Sequence, residues 1–236
     1  MARVHVWGGG PYHPFRAQGA AFLSLLESLG HQGVYGEDRS FLSDSVLAGT
    51  DLVVLMGLDC SGSERVSAQA WEDKSRAGKT YEPLSETEAR ALSRFAEQGK
   101  PLLVLHAGLI SFDERKEFKK LYDGRWILEK SFHPELHEFP VRVTASDHPV
   151  CKGLSDFKIE DELYCDLVKP THSTVLLEAD WKGQAQPLAW SHETKAGGRF
   201  VYIAMGHDMR AWDNPALRTL HRNAVKYLLQ TRVQAP

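Results

Sequence analysis

Pro101-Leu-Leu-Val-Leu-His106-Ala-Gly108-Leu-Ile-Ser111-Phe112 is the stretch on which the fold turns. The unbroken apolar run from Leu102 to Leu105 predicts a strand buried on both faces, as in a parallel sheet covered by helices. It stops at a histidine, and Ala107 and Gly108 are small enough for a tight turn and a close backbone approach. Ahead of the strand, Ser85-Glu-Thr-Glu88 has the form of a capping box. Ala89, Leu92, Phe95 and Ala96 then share one helical face, and Gly99 marks the stop. Helix, short turn, buried strand and a polar residue at the strand's carboxyl end describe an open α/β sheet, which keeps its ligands at that edge. A histidine there suits a site or a hydrogen-bonded structural position equally well.

The same pattern recurs on either side. Val4-His-Val-Trp7 predicts a first strand, ending in Gly8-Gly9-Gly10-Pro11-Tyr12-His13-Pro14. That loop lacks both GxGxxG and a Walker Lys-Ser/Thr, so the glycines read as a strand-to-helix turn rather than a phosphate cradle. Phe22, Leu25, Leu26 and Leu29 predict a helix stopped by Gly30. His31 to Tyr35 predicts a second strand and Asp51 to Met56 a third, ended by Gly57. Residues 57–84 are polar and irregular, a length usual for a functional or partly helical loop. Asp113 to Tyr122 predicts a charged amphipathic helix.

From Gly124 the character changes. Trp126–Leu128, Phe139–Thr144, Glu162–Cys165, Thr174–Leu177 and Pro187–Trp190 are short β-prone pieces between turn residues, which predicts an antiparallel extension of the sheet. Phe200-Val-Tyr-Ile-Ala204 is a further buried strand, followed by Met205-Gly206-His207-Asp208. Asn214-Pro215 is an N-cap with proline at the first helical position, and Leu217, Leu220, Ala224 and Leu228 form the closing helix. No repeat or linker divides the chain, so a single domain over 1–236 is expected.

Lys and Arg number 28 against 31 Asp and Glu, a net charge of −3. With no long basic run, a nucleic-acid surface is not expected, and the partner is a small molecule. Cys60, Cys151 and Cys165 lack paired spacing and read as the reduced thiols of a cytoplasmic protein. No apolar signal core opens the chain, and no run of about 18 apolar residues occurs, so no membrane partner is expected. A homo-oligomer is compatible with the sequence.

The polar junctions are His13, His106, His133-Pro134, Asp161-Glu162 and Gly206-His207-Asp208. Parallel strands put their carboxyl ends on one edge, so His13, His106 and His207 can meet although far apart in sequence. Imidazoles with a carboxylate suit two chemistries. One is a divalent metal such as zinc or manganese, for which His133 is the candidate ligand. The other is proton transfer to and from a sugar or carbonyl substrate, because histidine titrates near neutral pH. There is no HExxH, and Pro134 prevents His133 and His137 from sharing a helical face. In the proton-transfer reading His106 and His207 act with Glu162, while Asp161 and Asp208 orient the imidazoles. His13, Tyr12, Ser111, Tyr164, Trp190 and Asp208 form the substrate-binding set. The rings of Tyr12, Tyr164, Trp190 and Trp212 suit stacking on a sugar, and equally suit core packing. His106 occupies the elbow where acyl-transfer enzymes display Ser or Cys, which leaves Cys60 and Ser111 as nucleophiles for a hydrolase reading. His5, His31 and His221 read as structural.

Several of these pieces, in order and spacing, resemble the trehalose-utilisation ThuA family. They are Leu105-His-Ala-Gly108 with Ser111-Phe112, Phe132-His-Pro134, and Asp147-His-Pro149 through Gly153-Leu154 to Asp161-Glu-Leu-Tyr164. Pro187-Leu-Ala-Trp190, Gly197-Gly-Arg199 and Gly206-His-Asp208 complete the set. The resemblance covers nearly the whole chain. It implies a flavodoxin-like α/β fold of the class I glutamine amidotransferase type, with a mostly parallel sheet and a site at the strand ends. It also implies a cytoplasmic carbohydrate-processing enzyme acting on trehalose or a related disaccharide or keto-sugar. In the amidotransferases the elbow carries a nucleophilic Cys and a His-x-Glu pair follows a late strand. His106 and His207-Asp208 stand in those places here, which counts against glutamine hydrolysis. A sugar-binding or regulatory module that kept the fold and lost the chemistry is the reading from a different class.

Overall fold

In a computed structural model that describes residues 1–230, apart from the Lys119 side chain, the apolar runs become the middle of a nine-stranded sheet. Residues 231–236 of the expected domain lie outside the described residues. β1 (Arg3–Trp7), β2 (Gln32–Gly36), β3 (Leu52–Leu55) and β4 (Leu102–Leu105) alternate with α1 (Phe15–Ser28), α2 (Asp44–Ala48) and α3 (Glu86–Glu97). After α4 (Lys116–Tyr122) come β5 (His137–Val143), β6 (Phe157–Asp161), β7 (Thr174–Trp181), β8 (Gln184–Glu193) and β9 (Arg199–Ile203). α5 (Met209–Asp213) and α6 (Pro215–Leu229) close the described chain.

The strand order is β2-β1-β3-β4-β9-β8-β7-β5-β6. Pairings from β2 through to β9 are parallel, and those from β9 onward are antiparallel. The parallel half is the expected flavodoxin-like arrangement. The antiparallel half is as extensive, so "mostly parallel" describes only one side of the sheet. β3 and β4 are buried at every position, the environment that an unbroken Leu/Val run requires. The Ser85–Glu88 capping box closes in both directions, and the Asn214 side chain accepts from the N–H groups of Ala216 and Leu217.

Three local expectations change. Glu162–Cys165 and Trp126–Leu128 are not strands but loop, tied down by single bridges at Cys165 and Arg125. The helix after Asp113 begins only at Lys116. β6 itself had no sequence signal, because its inward residues are Phe157, Ile159 and Asp161, and a carboxylate on the buried face hides the apolar alternation.

The β5–β6 hairpin leaves the sheet. β5 pairs with β6 from His137 to Val141, but with β7 only at Arg142 and Val143. The hairpin therefore peels away and carries Asp161 back to the carboxyl end of β9, where Asp161 accepts from Gly206 N at 2.6 Å and His207 N at 3.0 Å. Among the described residues, no helix is long and apolar enough to cross a membrane. Cys60, Cys151 and Cys165 are free and buried.

His221 on α6 is buried against Trp212 and Phe22, with ring centroids 4.7 and 6.1 Å away, and its Nε2 has no hydrogen-bond partner. Burial pushes its pKa down to about 3. The unfolded chain takes up this proton near the ordinary imidazole pKa, whereas the folded chain refuses it. Stability from this group is therefore full above about pH 6.5 and is lost as pH falls toward 3. His221→Leu should flatten that fall by up to about 1.4 kcal/mol per pH unit, measured by denaturant titration at a series of acidic pH values.

Candidate active site at the strand ends

The chain leaves β4 through a sharp elbow. His106 has φ +44°, a conformation that non-glycine residues avoid. The Tyr202 hydroxyl donates to the His106 carbonyl at 3.2 Å. Gly108 passes so close to β3 that a Cβ there would lie 2.3 Å from the Leu55 carbonyl oxygen. The elbow aims the His106 ring across to the neighbouring strand, where Nδ1 donates to the Ala204 carbonyl at 2.6 Å. A carbonyl only accepts, so the hydrogen is assigned to Nδ1 and Nε2 faces the sheet edge with its lone pair.

His13 arrives from the glycine loop after β1. Gly10 (φ +124°) lets this loop close over β3, since a Cβ there would meet the Leu58 carbonyl oxygen at 2.2 Å. The His13 Nδ1 donates to the Pro11 carbonyl at 2.9 Å, leaving a buried Nε2 with no hydrogen-bond partner. Its ring centroid lies 5.0 Å from that of His106 and 4.8 Å from that of His207. His207 follows β9, its backbone held by Asp161 from one side and by Gln18 from the other. The Gln18 Nε2 donates to the carbonyls of Gly206 and His207, both at 2.9 Å.

Glu162 joins the three rings. Its Oε2 lies 3.3 Å from His106 Nε2, and its Oε1 lies 3.1 Å from His207 Nδ1 and 3.5 Å from His133 Nε2. The His207 contact lacks the alignment of a hydrogen bond, so that Nδ1 is buried without a partner. One donor atom each from His13, His106, Glu162 and His207 lie within 4.8 Å of one another. Tyr164 backs the cluster, its ring stacked 4.5 Å from that of His106 and its hydroxyl 3.0 Å from His106 Nε2.

Burial and charge set distinct protonation states here. Burial pushes His13 down to about 3, and the His106 and His207 rings push the same way. Burial alone would raise Glu162, but the adjoining His106 and His207 rings reverse it, to well below the usual carboxylate range. Burial would lower His207, and the Glu162 carboxylate reverses that as well, so its pKa rises. Glu162 is the anion of the site, His13 stays neutral, and His207 is the ring that takes a proton.

The family model for trehalose utilisation, ThuA, matches residues 3–228. The chain belongs to the ThuA family. Among solved structures, this ThuA chain superposes on a ThuA-like protein from Parabacteroides merdae with a TM-score of 0.74. The identity there is 18%, over 100% of this chain and 92% of that one. A ThuA-like protein from Bacteroides uniformis gives 0.69 at 17% identity, over 99% and 94%. A glutamine amidotransferase from Thermotoga maritima gives 0.57 at 9% identity, over 98% and 99%. These likenesses show a shared glutamine amidotransferase-like, flavodoxin-like α/β fold. No curated protein matches the sequence.

Of the residues singled out in this ThuA sequence, the fold gathers His13, His106, Glu162, His207 and Tyr164. His133 stands at the mouth, its side chain 40% exposed. Tyr164 is fully buried behind His106, so it is a hydrogen-bonding partner rather than a platform for a sugar. Trp190 is core, not substrate site. It is fully buried, donates to the Tyr122 carbonyl at 2.7 Å and packs on Tyr202. Ser111 fastens two loops, donating to the Gly57 carbonyl at 2.6 Å and accepting from Asp59 N at 2.9 Å. Asp208 caps α5 and pairs with Arg210, and Asp161 holds backbone N–H groups, so neither carboxylate orients an imidazole directly. Tyr12 is exposed, its backbone N–H bonded to the Ala70 carbonyl. Burial pushes the Cys60 thiol up to about 12, which leaves it without nucleophilic character near neutral pH. His5 bonds Thr50, and His31 accepts from Ala2 N, both as structural residues. Gln18 was missed, although a glutamine on the same helical face as Phe15, Phe22 and Leu26 is a readable signal.

Beside the cluster, on the same sheet edge, lies a polar cleft of about 910 Å³ whose lining includes Arg39, Asp59, Trp71, Arg76 and Tyr81. Its wall backs the His13 loop through a bridge between Pro11 and Trp71. Asp161→Asn should cost about 2–3 kcal/mol in denaturant titration, because an amide nitrogen then faces backbone N–H donors. It should also shift the His207 ring signals in an NMR spectrum, by releasing the turn that carries them.

Proposed function

We propose that this ThuA protein is a cytoplasmic carbohydrate-processing enzyme that moves protons on a trehalose-type disaccharide or its keto derivative. The observation that carries this reading is the Glu162 carboxylate shared between His106 and His207 at 3.3 and 3.1 Å. A carboxylate held anionic beside an imidazole that favours its proton is a base paired with an acid at one point. The family's description, trehalose utilisation, supports this choice of substrate class.

In this reading Glu162 removes a proton from a substrate carbon made acidic by a neighbouring carbonyl, or from a sugar hydroxyl. His207 as imidazolium then gives a proton to the oxygen that gathers charge. His106, fixed at Nδ1 by the Ala204 carbonyl, keeps Nε2 directed at the same place. Sugar hydroxyls suit the polar lining of the adjacent cleft, which includes Asp38, Arg39, Asp59 and Arg76. The net charge of −3 supports a small-molecule partner over nucleic acid.

An enzyme of this kind should convert trehalose or a keto-disaccharide to a new species resolved by mass spectrometry. Glu162→Gln should lower that turnover by about 10²–10⁴-fold. His106→Ala and His207→Ala should each lose turnover with the far-UV circular dichroism of the wild type. Saturable sugar binding with no product would mark a binding module instead, and wild-type turnover in Glu162→Gln would sink the assignment.

A further inference from the structure

We propose that His13, His106, Glu162 and His207 together hold a single divalent transition-metal ion, with zinc the best chemical match. The proposal rests on the strand-end cluster being the functional centre and deepens that reading by naming the cofactor it takes.

The argument begins with where hydrogens and lone pairs must be. His13 and His106 each spend Nδ1–H on a backbone carbonyl, at 2.9 Å to Pro11 and 2.6 Å to Ala204. Both Nε2 atoms therefore present lone pairs inward. Glu162 contributes only acceptors, and His207 Nδ1 sits 3.1 Å from that carboxylate without a hydrogen bond to it. His13 Nε2 and His207 Nδ1 are both buried and unpartnered. Four groups able to turn acceptor atoms inward, with those atoms within 4.8 Å of one another, need a cation among them, which a proton on His207 supplies in part and a metal ion supplies in full. Among the described residues, the hydroxyl of Tyr164 is the donor directed at this cluster, and it reaches only His106.

Metal-binding histidines are commonly fixed by a carbonyl or carboxylate on the nitrogen away from the ion, which sets tautomer and ring orientation. His13 and His106 show that arrangement from two unrelated stretches of backbone. Three imidazoles and one carboxylate form a nitrogen-rich set of intermediate softness, which suits zinc, whereas magnesium and calcium prefer oxygen. Tetrahedral zinc needs donors about 3.3 Å apart, so these side chains, now within 4.8 Å, would draw together around it. His133, the ligand expected from sequence, falls outside the set, as its exposed ring reaches Glu162 at 3.5 Å from the solvent side. An ion here would take the place of the His207 imidazolium in polarising a substrate oxygen, and the Glu162 oxygen that does not ligate it would accept the proton. With His106 Nε2 engaged, the Tyr164 hydroxyl would be free to donate to the substrate's oxygen.

The test uses the whole chain, stripped with a chelator and titrated with Zn²⁺ and separately with Co²⁺ in the absence of any sugar. The expected result is one equivalent of zinc per chain by elemental analysis after desalting, with a raised midpoint of thermal unfolding. The cobalt form should show the intense visible absorption of a four- or five-coordinate nitrogen-rich site. His13→Ala and His106→Ala should each weaken zinc binding by 100-fold or more, while His133→Ala binds as the wild type does. No saturable binding of either ion by the wild-type chain overturns the proposal, and so does undiminished zinc affinity in a folded His13→Ala. The cobalt spectrum of the wild type decides the matter even where a variant fails to fold. Stoichiometric zinc in a protein that turns over no sugar would leave this site standing and remove the sugar reading. Turnover that survives complete metal removal would leave the sugar reading standing and overturn the ion as its cofactor.

Discussion

A single buried carboxylate fixes the geometry at the strand ends. Asp161 is fully buried and forms no ion pair among the described residues. Three backbone N–H groups satisfy it instead, from Gly206, His207 and Glu162 at 2.6, 3.0 and 2.9 Å. Burial pushes its pKa up, while the His106 ring and these N–H donors pull the other way. Hydrogen bonds to a charged group contribute about 1.5–3 kcal/mol each, enough to hold a hairpin that has already left its sheet. Because the same carboxylate grips the N–H groups of both Glu162 and His207, it sets where each side chain departs. The distance between Glu162 and His207 is thus set by a carboxylate that belongs to neither.

The elbow after β4 is the second constraint. Related α/β scaffolds display a nucleophile from such a turn, and the strained backbone exists to present one side chain at the sheet edge. This chain keeps the turn and changes what it presents. An imidazole at φ +44° cannot form an acyl intermediate in the manner of a thiolate. Positioned by the Ala204 carbonyl, it can serve as a directed lone pair. Fold and chemistry separate at one position, which is why the likeness to an amidotransferase informs the architecture and not the reaction.

The parallel half was legible because burial on both faces leaves little choice of residue. Leu52–Leu55, Leu102–Leu105 and Phe200–Ile203 read as strands without reference to anything else. The convergence of His13, His106 and His207 followed from that, since parallel strands share an edge. What sequence concealed was direction and detachment. Nothing local separates Trp190, which faces the core from β8, from an aromatic beside a site, and Ser111 bonds main chain where a nucleophile was conceivable. β6 escaped notice because Asp161 breaks its apolar alternation, and the path that brings Glu162 to the histidines depends on the hairpin's departure from β7. That departure is a property of tertiary packing, which no short window of residues encodes.

The four clustered side chains sit at positions 13, 106, 162 and 207, and this spread bears on how the protein is made. As the chain emerges from a ribosome, the first histidine is exposed long before its last partner exists. β4 must also wait for β9, nearly a hundred residues later, before its far edge is covered. Contacts of such long sequence separation close late, because the loop entropy comes due before they reward it. A partly synthesised chain would hold most of the parallel strands with the cluster incomplete. The cluster of four is therefore complete only once β9 and the turn after it have joined the sheet.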